Sequence, residues 1–69
     1  MTNTILLLEK IEASGYKRVY LAKMLGITTV ALGNKIHNRT EFKASEILKL
    51  CEALKIENTA DKEKIFFAM

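Results

Sequence analysis

The sequence predicts an all-α domain of five helices that spans residues 1–69. Proline is absent from the chain, and Leu, Ile, Ala, Glu and Lys dominate a composition that favours helices over strands. Apolar residues recur at intervals of three and four positions, which is the spacing of one face of a helix. Glycine and short polar residues separate these segments, as expected where helices begin and end.

The first three helices follow from these signals in order. The first is predicted to begin within residues 2–4, three polar residues that can each cap a helix. It ends at Gly15, because glycine adopts the left-handed backbone of a helix end without strain. The second helix begins near Lys17 and ends at Gly26. Thr28 is then predicted to cap a third helix by accepting a backbone N–H.

The second half of the chain continues the pattern. Asn38 is predicted to end the third helix, since asparagine tolerates the left-handed conformation better than other non-glycine residues. A loop over residues 39–43 leads to a fourth helix with an apolar stripe formed by Ile47, Leu50, Cys51 and Leu54. A fifth, short helix capped by Asn58 or Thr59 carries the apolar residues Ile65, Phe66 and Met69.

Positive charge is concentrated in the middle of the chain. The net charge is only +3, but residues 16–43 hold six of the eleven basic residues and one of the eight acidic ones. This distribution indicates either a solvated basic surface or a site for a polyanion.

Composition excludes several classes of protein. One cysteine, Cys51, and one histidine, His37, allow neither an internal disulfide nor a zinc site built from Cys and His. No base, nucleophile and orienting partner are visible together, so the sequence predicts no enzyme, cofactor, metal or small-molecule substrate. No apolar run approaches the ~20 residues that cross a membrane, and residues 1–4 lack the basic segment of a signal peptide. A cytoplasmic protein is expected.

Residues 18–35 carry the pattern of two helices joined by a short turn. Leu21 and Leu25 lie one turn apart on one face of the first of these helices. Ala22 supplies a small residue where a steeply crossing helix must approach, and Gly26 permits the sharp turn that follows. Together they predict a helix-turn-helix.

With its flanking helices, the chain resembles the Cro/phage-repressor family of DNA-binding domains, also called lambda-repressor-like. Residues 20–28, with the core Leu-Ala-x-x-Leu-Gly-Ile-Thr, and residues 32–36 carry the resemblance. Further matches, at Ser45, Glu46, Ile47, Leu50, Cys51, Ala53, Leu54 and residues 64–68, extend it over essentially the whole chain. The resemblance implies a transcriptional regulator, specifically a Cro-like repressor, that binds a double-stranded DNA operator and forms a homodimer at least on DNA.

The resemblance also implies roles for individual residues. The third helix would lie in the major groove, with Thr29, Val30 and Asn34 at the positions that read bases. The positions that contact phosphate would be Lys17, Arg18, Thr28, Lys35, Asn38, Arg39, Thr40 and Lys43. Asn34 can pair with adenine, and Val30 can pack on a thymine methyl. Because Lys35 stands where many members carry an apolar residue, either Asn34 or Lys35 is the one that reaches a base.

Three alternatives remain open at this point. Gly33 costs about 1 kcal/mol relative to alanine inside a helix, which indicates close approach either to DNA or to another helix. Residues 5–8 and the adjacent Phe66 and Phe67 cannot all face one core, so they form either a dimer face or a wrapped core. Finally, the same helical fold suits a protein-interaction module, such as an antitoxin or anti-repressor, although the basic middle segment favours DNA.

Overall fold

Residues 1–68 form five α-helices, in the order that the sequence predicts. In the computed structural model, which describes residues 1–68, the helices are α1 (Thr4–Ser14), α2 (Arg18–Leu25), α3 (Thr29–Ile36), α4 (Ala44–Leu54) and α5 (Thr59–Phe66). These residues contain no strand, so the predicted all-α fold class is confirmed. Met69, which the sequence assigns to the apolar set of α5, lies outside the described residues.

Side chains cap three of the five helices at their N-termini. Asn3, Thr28 and Asn58 each accept a hydrogen bond from a backbone N–H two or three residues further on. Thr28 was the predicted cap of α3, and Asn3 and Asn58 each belonged to a predicted set of alternatives. By contrast, Lys17 and Lys43 begin α2 and α4 without a side-chain cap of their own.

Residues with positive φ follow four of the helices. Gly15 (φ 77°), Gly26 (φ 74°) and Asn38 (φ 63°) adopt the left-handed conformation that the sequence predicts for them. Lys55 (φ 57°) adopts it after α4 without having been predicted. Each of these residues allows the following chain to turn back, so the helices pack as one body with a radius of gyration of 10.7 Å. A compact chain of this length has a value of about 11 Å.

All five helices contribute to one hydrophobic core. Ala22 of α2 is only 1% exposed, in agreement with the small residue expected where α2 approaches α3. Burial raises the pKa of the Cys51 thiol in α4, against a smaller lowering by the charge of Lys62. The remaining buried apolar residues are Leu7, Ile11, Leu21, Leu25, Leu32, Ile36, Leu50, Leu54, Ile56, Ile65 and Phe66.

The two chain ends pair with each other. The backbone N–H of Asn3 donates to the carbonyl of Ile65 at 2.6 Å, and that of Ala68 donates to the carbonyl of Met1 at 2.9 Å. The crowded apolar residues near these ends do point apart as expected, since Ile5 is 72% and Phe67 is 58% exposed. Within the same described part of the chain, no helix has both the length and the apolar character to cross a membrane.

Candidate nucleic-acid interface

Helix α3 divides its residues between the core and the surface. Leu32, Lys35 and Ile36 are buried. Residues 29, 30, 33, 34 and 37 project within an arc of about 140° on the other side, at 100° per residue. Among residues 1–68, Val30 is the most exposed large apolar residue, at 74%. The three residues predicted to read bases, Thr29, Val30 and Asn34, therefore share one outward face.

The N-terminus of α3 is set by Thr28. Its hydroxyl oxygen accepts the backbone N–H of Ala31 at 3.0 Å. The hydroxyl proton is still free to donate, because a hydroxyl is both a donor and an acceptor. No acidic residue lies in the first turn, so the positive end of the helix dipole is not neutralised locally. An anion is favoured at this end of the helix.

The start of α2 has the same character with more charge. Lys17 precedes the helix in an extended conformation, and no side chain accepts the free N–H groups of the first turn. Lys17 and Arg18 are both exposed, and the first turn contains no acid. Free N–H groups, the helix dipole and two cations together suit a phosphate.

The loop after α3 is held in one shape by its backbone. The N–H of Arg39 donates to the carbonyl of Asn34 at 2.8 Å, and the N–H of Asn38 donates to that of Lys35 at 3.3 Å. This pair of bonds around a residue of positive φ is a Schellman motif. Arg39, Thr40 and Lys43 all lie exposed in this loop, as their predicted phosphate-binding role requires.

The side chain of Asn38 is bonded to the N-terminal segment of the chain. Its side-chain oxygen accepts the backbone N–H of Thr2 at 2.8 Å, and its amide nitrogen donates to the Thr2 carbonyl at 2.8 Å. Next to this pair, the Thr4 hydroxyl donates to the carbonyl of Ile36 at 2.6 Å. Asn38 therefore fixes the loop to the N-terminal segment through its amide oxygen and one of its two amide protons. The residue is exposed, and its phosphate contact stays a prediction.

Lys35 departs from its predicted role. It is buried, and its Nζ donates to Oε1 of Glu46 in α4 at 2.5 Å. Lys35 occupies an inward position beside Ile36, so its ammonium group does not lie on the outward face. The predicted phosphate contact of Lys35 is wrong, and of the two alternatives for the base-reading residue only Asn34 lies towards the surface.

The acidic partner of Lys35 was missed from the sequence. Burial by itself raises the pKa of Glu46, but the hydrogen bonds from Lys35 and from the backbone N–H of Lys43, with the charges of both lysines, lower it below its ordinary value of 4.5. One signal was available: Lys35 stands among the apolar positions of α3 that face the core. A buried ammonium group needs an opposite charge, which another helix must supply. Nothing in the local pattern identified Glu46, eleven positions later, as that charge.

Two further features are Gly33 of α3 and a pair of tyrosines that lies beside α4. An alanine Cβ built at Gly33 would meet no atom within 4 Å, so no other helix of the chain requires glycine there. Tyr16 and Tyr20 stack with ring centroids 5.1 Å apart and are both exposed, and they line a groove together with Lys49, Glu52 and Ala53 of α4. Their i, i+4 spacing was readable from the sequence and was overlooked.

A metal site and relatives of known function are the remaining sources of evidence about function. Among residues 1–68, no group of three His, Cys, Asp or Glu side chains is placed to hold a metal ion. Comparisons with protein-family profiles, with curated proteins and with solved structures find no match. Any function assigned to the chain therefore rests on its own geometry.

Proposed function

We propose that this protein is a sequence-specific double-stranded DNA-binding regulator of the Cro type, with α2 and α3 as its helix-turn-helix. The observation that carries the proposal is the outward face of α3, where Thr29, Val30, Gly33 and Asn34 lie together. No atom of another helix lies within 4 Å of the position that a Cβ would take at Gly33. The side chain of Val30 is exposed rather than packed in the core.

The chemistry of this face suits the major groove. Val30 offers a compact apolar group for a thymine methyl, and Asn34 offers the donor and acceptor that match adenine. Gly33, one turn before His37, has no side chain, so the backbone of α3 can approach the base edges closely. An α-helix with its side chains is about 10–12 Å in diameter, which fits a major groove about 12 Å wide.

The charges around this face suit phosphate. Lys17 and Arg18 extend from the uncapped start of α2, and Arg39 and Lys43 extend from the loop after α3. Such contacts position a protein on the duplex without reading its sequence. Four phosphate contacts per subunit predict a slope of about −3.6 in log K against log salt concentration.

In this proposal the protein acts by occupying its operator and excluding RNA polymerase. A homodimer would bind two half-sites separated by one helical turn, about 10 base pairs. The exposed Ile5 and Phe67 near the paired chain ends are available for a subunit contact.

Selection of bound sequences from a random duplex library tests the proposal. The expected result is a two-fold symmetric site whose affinity falls steeply with salt. Arg18→Ala should weaken binding to every duplex, whereas Lys64→Ala, which removes an equal charge from α5, should leave it unchanged. Failure to enrich any sequence, together with binding that is independent of salt, would overturn the proposal and favour the protein-interaction module.

A further inference from the structure

Arg39 and Asn34 are joined through their side chains. Nη1 of Arg39 donates to Oδ1 of Asn34 at 3.3 Å. A guanidinium group has only donors, so the atom of the Asn34 amide that faces it must be the oxygen. The amide nitrogen, with its two protons, is therefore turned away from Arg39. The contact thus sets the orientation of the Asn34 amide, with Oδ1 towards Arg39 and Nδ2 away from it.

The backbone fixes this pair before any ligand arrives. The carbonyl of Asn34 accepts the N–H of Arg39 at 2.8 Å and that of Thr40 at 3.4 Å. Between them, Asn38 holds a positive φ of 63° and is tied to Thr2 by two hydrogen bonds of 2.8 Å. Arg39 therefore starts from a position fixed relative to Asn34, and only its side chain must be ordered to complete the contact.

We infer that Arg39 is a positioning residue that sets the base preference of Asn34. This inference rests on the proposed DNA-binding function. With one lone pair of Oδ1 engaged by Arg39, the second accepts the N6 amine of adenine, while Nδ2 donates to adenine N7. The ligand is therefore a duplex with adenine opposite Asn34.

The rest of the Arg39 guanidinium determines a second feature of that duplex. Four of its five N–H donors are not used by Asn34. They suit a phosphate close to the same adenine, because arginine binds phosphate through a planar fork of donors. One residue then links a backbone contact to the reading of one base, and a lysine cannot replace it, since an ammonium group lacks the planar fork.

A double-mutant cycle with Asn34→Ala and Arg39→Lys tests the inference. Both variants, their combination and the parent are measured against the selected operator, against the operator with 7-deazaadenine at the base opposite Asn34, and against a non-specific duplex. Arg39→Lys keeps the charge, so non-specific binding should change by less than about twofold. Operator binding should weaken by about fivefold or more, the lower end of what a bidentate base contact discriminates.

The 7-deazaadenine operator separates positioning from simple charge. It lacks the N7 acceptor, so it should weaken binding of the parent but not of either single variant or of the double variant. Arg18→Lys is the matched control, an arginine-to-lysine change at a position assigned to phosphate alone. It should leave the penalty for 7-deazaadenine as large as in the parent.

Each remaining outcome bears on the inference or on the proposed function. Additive effects of the two substitutions, or an Arg39→Lys variant that keeps the full 7-deazaadenine penalty, would overturn the inference while DNA binding itself stands. A parent protein that binds no duplex would overturn the proposed function, and the inference with it. Far-UV circular dichroism checks that the variants fold, and Arg39→Gln supplies a second substitution if the lysine variant does not.

Discussion

Lys35 of α3 and Glu46 of α4 form a buried ion pair, with 2.5 Å between Nζ and Oε1. The same carboxylate oxygen accepts the backbone N–H of Lys43 at 2.8 Å and so satisfies a free donor at the start of α4. One side chain thus connects the helix proposed to read DNA to α4. The orientation of α3, and hence which residues face outward, depends on this contact as well as on Leu32 and Ile36.

Glu46→Gln should destabilise the fold at neutral pH. It keeps an acceptor for the Lys43 N–H but leaves the Lys35 ammonium buried without a countercharge. Removing one partner of a buried pair costs about 3–5 kcal/mol, and the retained hydrogen bonds favour the lower end. Adding Lys35→Met should recover much of the loss, because an apolar side chain of similar size suits this site. Chemical denaturation of the three variants measures both effects.

The pH dependence of stability gives a second measure of the same pair. The folded state lowers the pKa of Glu46 below 4.5, so its stabilising contribution is complete above that pH and is lost as the pH falls through the folded-state pKa. The parent should therefore lose more stability than Glu46→Gln as the pH falls from neutral to below 4.5. Parallel stability curves for the two proteins over that range would show that the ion pair contributes nothing.

Ala22→Val should lower stability by overpacking the contact between α2 and α3. Ala22 is 1% exposed, so two added methyl groups must displace their neighbours, at a typical cost of about 1–3 kcal/mol. Ala13→Val on the exposed side of α1 is the control for the lower helix propensity of valine, which costs less than about 0.7 kcal/mol. Equal thermal midpoints for the two variants would mean that the α2–α3 contact is not tight at residue 22.

The sequence predicted the features of this fold that depend on local chemistry. Helix caps such as Thr28 and left-handed positions such as Gly26 follow from a single residue and its immediate neighbours, and both were confirmed. Lys55 shows the limit of that reasoning, because tertiary packing imposes a positive φ on a residue type that does not favour it.

The candidate site was less predictable wherever a side chain had a distant partner. Lys35 and Asn38 have local signals typical of an exposed cation and an exposed amide after a helix. Their partners, Glu46 and Thr2, are 11 and 36 positions away, and only the packing of α4 and the N-terminal segment brings them close. Asn34 and Arg39, five positions apart, were each singled out, but their mutual contact depends on the shape of the loop.

Substitutions at Asn38 should separate its two structural roles. Asn38→Gly keeps a residue that tolerates positive φ but removes both hydrogen bonds to Thr2. At about 1 kcal/mol for each bond, it should destabilise the fold by about 2 kcal/mol. Asn38→Ala adds the cost of the left-handed conformation, about 1 kcal/mol more. Urea denaturation orders the two variants, and an alanine variant as stable as the glycine variant would mean that the loop relaxes away from positive φ.

Gly33→Ala should make the protein more stable and a weaker binder of DNA. The glycine lies inside α3, and an added Cβ meets no atom within 4 Å, so alanine should gain about 1 kcal/mol of helix stability. In a domain of this size that gain raises Tm by about 4–8 °C. The same methyl group lies between Val30 and His37 on the face proposed to approach the bases, where it would hold α3 away from the groove.

Gly26→Ala is the contrasting control, because its φ of 74° makes alanine strained there and should lower Tm. The thermal midpoint and the operator affinity of each variant are measured together. A higher Tm with unchanged operator affinity would contradict close approach of DNA at Gly33.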